Sequence, residues 1–126
     1  MFSNFETIHT YTRKEAIEDG VLIDLTANFP DEAGLFKIPV ACTSAVWSLI
    51  DAGATNPRHH NTHAGIVFDI LYMSIKGKTK ILSEAEHIFC VGITGAGKHR
   101  NYNLKAVCSA NDDMSPCLTI LTEFED

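Results

Sequence analysis

The sequence predicts an α+β fold, and three observations predict it. Capped helical patterns fill the first two thirds of the chain. Three strand-like runs joined by short polar or glycine turns fill the last third, as in antiparallel hairpins. A length of 126 residues, 45% of them hydrophobic, suits a single domain over residues 1–126 with a core of its own. Helices first and a meander later is the α+β order. The expected architecture is short N-terminal helices around one buried central helix, packed on a mostly antiparallel sheet that ends in a three-stranded meander.

Each element has a local reason. Thr12 and Glu15 fit the capping box S/T-x-x-E, and Gly20 fits the position that stops a helix. Val21–Leu25 then reads as a strand, with Val21, Ile23 and Leu25 on one face and Leu22 and Asp24 on the other. Thr26 is a candidate cap for a helical turn over residues 27–33, although Pro30 sits inside it. Pro39-Val40-Ala41 is extended. Thr43 caps an amphipathic helix over 44–51, where Val46, Leu49 and Ile50 share a face and Gly53 marks the end. Residues 54–63, ATNPRHHNTH, form a polar loop. Residues 64–76, AGIVFDILYMSIK, are apolar around almost the whole helical circumference, the pattern of a buried central helix; a buried strand is the alternative, and the length of the run favours helix. The three runs of the meander are Ile88–Thr94, Asn103–Ala110 and Cys117–Thr122, the last a candidate edge strand open to self-association.

Composition narrows the function. A net charge of −6 argues against a dedicated DNA binder, which carries a basic surface. No apolar run approaches the roughly 18 residues of a membrane span. The start MFSNFETIHTYTRK has neither the basic nor the apolar region of a signal peptide, so the expected compartment is the cytoplasm and no membrane partner is expected. Cys42, Cys90, Cys108 and Cys117 make no C-x-x-C pair and sit among apolar or small neighbours, as structural thiols do.

Several of these pieces resemble a small uncharacterised bacterial family of unknown function, met mainly on plasmids, prophages and other mobile elements. The resemblance rests first on Tyr11-Thr12-Arg13 with Ala16–Asp24, the pattern YTRxxAIEDGVLID. It continues through Pro39-Val40-Ala41 with Thr43, Val46 and Trp47, then Phe68–Met73, and finally Leu104–Val107 with Pro116 and Leu118–Ile120. It implies a mobile-element accessory protein and brings no catalytic residues. The histidines of residues 54–63 depart from the family pattern, so nothing is implied for them.

Few constellations carry chemistry. Gly92–Lys98 satisfies G-x-x-x-x-G-K, but His99 stands where a phosphate-binding loop needs Ser or Thr, and a strand follows instead of a helix; the bland reading is a glycine hairpin. His59, His60 and His63 are candidate metal ligands without a nearby cysteine or paired carboxylate, against a plain solvated loop. Asp69 is the only charge between His63 and Lys76. It lies on an exposed stripe, pairs with Arg13, Arg58 or a helix N-terminus, or serves a ligand. Asp24 raises the same question, and the two converging would make a paired-carboxylate site. Lys76, Lys78, Lys80, Lys98, Arg100 and Lys105 form a basic stretch that would contact nucleic acid or an acidic partner, with Tyr102 available to stack a base; as solvated turn residues they would do neither. Residues 112–126 hold five acids and no base. The leading expectation is a protein-binding accessory protein with no cofactor and no catalytic role, using exposed anchors such as Phe2, Phe5, Tyr11 or Phe36. A small enzyme or ligand-binding domain at Asp24/Asp69 and a weak nucleic-acid binder at Lys76–Lys105 are the alternatives, and a homo-oligomer stays open.

Overall fold

The structure, a computed structural model, describes residues 11–125. The capping box of α1 (Arg13–Glu18) forms as expected. The Thr12 hydroxyl accepts from the Glu15 N–H at 3.0 Å, and Glu15 Oε1 accepts from the Thr12 N–H at 3.2 Å. At the far end the N–H of Gly20 reaches the Ile17 carbonyl and that of Val21 reaches the Ala16 carbonyl. This paired closure needs a left-handed residue, and Gly20 supplies it at φ 79°.

β1 (Leu22–Asp24) runs straight into α2 (Leu25–Asn28). Asp24, not Thr26, is the cap: its carboxylate accepts from the Ala27 N–H at 2.9 Å. Thr26 turns the other way and accepts from the Val40 N–H at 2.8 Å, tying α2 to β2 (Val40–Thr43). Pro30 does not interrupt a helix. It opens a second one, α3 (Pro30–Ala33), where its missing N–H has no partner to lose.

Thr43 caps α4 (Ser44–Thr55), which runs past the expected stop at Gly53. Gly53 is buried inside the helix, where an added Cβ would sit 3.0 Å from Ile66 and 3.1 Å from Ile93. Close helix packing, not termination, is its purpose. α5 (His63–Lys76) is capped by Thr62 and buries Ile66, Val67, Ile70, Leu71 and Ser74. The expectation of a helix buried all round does not hold. Phe68, Tyr72 and Ile75 are about two-fifths exposed, so α5 has an outer face.

Among the described residues the sheet has six strands, in the order β1, β2, β6 (Pro116–Thr122), β5 (Asn101–Ala110), β4 (Glu86–Gly92), β3 (Lys78–Ile81). β4, β5 and β6 form the expected meander. β3 extends it antiparallel to β4 and was not visible as a strand in the sequence. β6 is not an edge strand: β5 pairs with it antiparallel on one side and β2 pairs with it in parallel on the other. Among the described residues the edges are β1 and β3. Helices α2 to α5 cover one sheet face, and the core lies between, built on Cys42, Phe89, Leu104 and Ile120 with Ile50, Ile70 and Leu71 above them. On the opposite face Arg13 of α1 donates to the Thr119 hydroxyl at 2.7 Å and the Leu118 carbonyl at 2.8 Å.

Candidate functional site

Phe68, Tyr72 and Ile75 follow one another at i, i+4 and i+7, which puts them on one line of α5. The Phe68 and Tyr72 rings stack with centroids 5.8 Å apart. A soluble helix normally turns charge outward on the side away from its core. Here the outward line carries two aromatic rings and an isoleucine. Gly77 alone separates α5 from β3, whose four residues are all exposed, and Ile81 and Leu82 are themselves exposed apolar residues, at 64% and 45%. Lys76, Lys78 and Lys80 lie at the same place, all exposed. The exposed apolar line of α5 is thus followed directly in the chain by an exposed strand carrying three lysines in and beside it.

Asp69 stands on this outer side of α5 and is exposed. The apolar residues around it still withdraw water from its carboxyl, and that desolvation raises its pKa above the ordinary carboxylate value. It has no ion-pair partner among the described residues; neither Arg13 nor Arg58 reaches it. Asp24 lies elsewhere, in a cleft of about 710 Å³ bordered by Arg13, Ile17, Pro39, Ala41 and Asp112. Asp69 does not line that cleft, so the two carboxylates do not form a joint site. Asp24 caps α2, and Asp112 accepts from the N–H groups of Arg13 and Lys14 at 2.8 and 3.1 Å. Both acids are engaged in holding backbone.

The histidine loop and the glycine turn brace each other. Asn56 donates to the Gly95 carbonyl at 3.1 Å and Asn61 to the Thr94 carbonyl at 2.9 Å. The turn is a hairpin loop with no helix after it, as a phosphate site would need. His63 pairs with Asp51 at 2.9 Å and stacks on Trp47 with centroids 5.5 Å apart, while His59 and His60 are exposed. No three metal-ligating side chains converge among the described residues. Tyr102 is partly buried against the core with His99 on its edge, so its ring is not an open stacking platform.

The basic stretch is not one surface. Lys98 and Arg100 are exposed on the β4–β5 turn, but Lys105 is 91% buried on the open sheet face, where its ammonium donates to the Glu125 carbonyl. Burial alone would raise the Glu125 carboxyl. Hydrogen bonds from the Thr122 N–H and hydroxyl and from the Thr43 hydroxyl, with the Lys105 charge, outweigh it and hold the pKa below the ordinary value. Next to this cluster, burial and then the Glu125 charge push the Cys42 thiol up to about 12, which leaves it without thiolate at neutral pH. Cys117 is buried as well, whereas Cys90 is half-buried and Cys108 exposed; all four are thiols.

A family model described as a family of unknown function, DUF6573, matches residues 1–113. The chain belongs to that family. No curated protein and no solved structure matches it. The match to DUF6573 takes in α5 and β3 and stops before β6, the strand that joins the two halves of the sheet.

Of the expected anchors in this DUF6573 chain, Phe2 and Phe5 lie outside the described residues. Tyr11 is exposed and donates its hydroxyl to Asp19 at 2.7 Å, and Phe36 is partly buried against the core. Sequence reasoning missed Phe68, Tyr72 and Ile75 because an apolar circumference reads as burial. The one available signal was their i, i+4, i+7 spacing beside Asp69 and Lys76, the two charged positions that mark the wet side of the helix. No described helix is long and apolar enough to cross a membrane.

Proposed function

We propose that this protein is a small cytoplasmic accessory protein of a mobile element that acts by binding another protein, with a host factor as the intended target. The observation that carries this reading is the outward line Phe68, Tyr72 and Ile75 on α5. Large apolar side chains grouped on a surface, with charge at the rim, are the usual mark of a partner site. The likeness of residues 11–24 to mobile-element proteins supports the setting. Affinity capture of the tagged protein from its host, compared with a Phe68→Glu/Tyr72→Glu variant, tests the reading. A stoichiometric partner should be held by the natural protein and weakened by about 30-fold or more in the variant, as for loss of a central aromatic anchor. Equal capture by both would reject it.

A second reading rests on the cleft beside Asp24. Its volume of about 710 Å³ falls within the range of small-molecule sites. A thermal-shift screen of metabolites against the protein and an Ile17→Trp variant, which would fill the cleft, separates this reading from the first.

A further inference from the structure

The outer face of α5 does not stand alone, and the border beside it says what sort of partner fits. β3 ends the sheet, and no described strand pairs with its outer side. Its outer backbone N–H and C=O groups, interrupted by a bulge between Lys78 and Lys80, offer a short template for one more strand. Lys76, Lys78 and Lys80 place three cations in five residues, with no acid before Glu84, in a chain whose net charge is −6. Resting on the reading of α5 as a partner site, we propose that β3 accepts an extended acidic segment of another protein as a seventh strand, with that segment's apolar side chains meeting Phe68, Tyr72 and Ile75.

Charge chooses among the occupants. A second copy presenting the same edge would set Lys78 and Lys80 against their own counterparts, a like-charge pairing that sheets avoid. A nucleic acid would satisfy the lysines but would leave both the strand template and the apolar line unused. An acidic strand answers all three features. Its charges also give the edge its selectivity: the lysines repel basic strands and steer acidic ones to the site.

The test uses the full chain and a displayed library of random short peptides. The enriched peptides should alternate β-branched or aromatic residues with Asp or Glu. Titrated into labelled protein, they should protect the amides of Lys78–Ile81 from exchange and shift Phe68 and Tyr72. Lys78→Glu/Lys80→Glu should weaken them at least about tenfold, and weaken them less as salt rises. Enrichment of neutral or basic peptides, or of none, overturns the proposal, as does a peptide that shifts α5 without protecting β3. A single-stranded oligonucleotide that displaces the peptides more tightly than they bind overturns it too. If the host partner is lost on Phe68→Glu/Tyr72→Glu while selected peptides ignore β3, this inference falls and the α5 reading survives. If neither variant affects capture, both fall.

Discussion

At β1 the sheet ends in three residues, entered through the Gly20 turn and left at once through the Asp24 cap of α2. α1 packs against that strand, and its first residue reaches across to β6 through Arg13 while Asp112 holds its first two N–H groups. At β3 the sheet ends in four exposed residues with no described neighbour beyond them. One end of the sheet is backed by a helix tied to β6 and Asp112, and the other carries only charge. Lysines on an edge deter indiscriminate pairing at little cost in stability. Stability is stored on the β1 side, which is knitted over long sequence distances, and the β3 side is left accessible.

The largest expected effect is at Arg13. Arg13→Ala removes two charge-assisted bonds to β6, at 2.7 and 2.8 Å, and leaves the partly buried Leu118 carbonyl and Thr119 hydroxyl without that partner. The expected loss is about 2–3 kcal/mol in urea unfolding. Lys78→Ala at the other edge should cost under about 0.5 kcal/mol, because its side chain is exposed and unpaired by any described acid. Equal losses at the two positions would show that the edges are not built differently.

Glu125 sharpens the same point through pH. Its carboxylate joins Thr43 of β2 to Thr122 of β6, next to Lys105 of β5. A carboxyl whose folded pKa lies below its unfolded value adds stability above the unfolded value and loses it as pH falls through the folded one. Glu125→Gln should therefore cost about 1 kcal/mol or less at neutral pH, because solvent screens a carboxylate that is only partly buried. Unfolding curves of the two proteins should draw together below about pH 4, the ordinary glutamate range. A gap that stays constant with pH would assign the cost to packing instead of charge.

How much of this was legible in the sequence follows from the range of the interactions. The Thr12/Glu15 box, the Gly20 stop and the Thr43 cap are decided within a few residues, and each formed where the pattern placed it. The three strands of the meander were legible from their turns. The parallel pairing of β2 with β6 was not, because it joins segments almost eighty residues apart and leaves no local trace. β3 was missed because Lys78-Thr79-Lys80-Ile81 has no buried face to impress a period on the sequence. The candidate surface was hidden for the reverse reason. Residues that bury themselves against a core and residues that wait for a partner are both apolar, and only the fold tells Ile70 from Phe68.

The smallest predicted effect belongs to Asp69, on the open side. Its carboxyl is raised by desolvation, so the native state holds its proton more tightly than the unfolded chain does. The sign is then opposite to that of Glu125: the protonated form favours folding, and this contribution is lost as pH rises from the unfolded value through the folded one. Asp69→Asn removes the penalty. The variant should match the natural protein near pH 3 and exceed it slightly at pH 7, by less than about 0.5 kcal/mol, since the exposed side chain is screened by solvent. The same variant should bind any partner of the α5 face at least as well, because docking would desolvate Asp69 further and the amide has no charge to lose. Weaker binding by Asp69→Asn would mean that the partner brings a cation to this carboxylate, and the acidic character proposed for the segment on β3 would then have to stop short of α5.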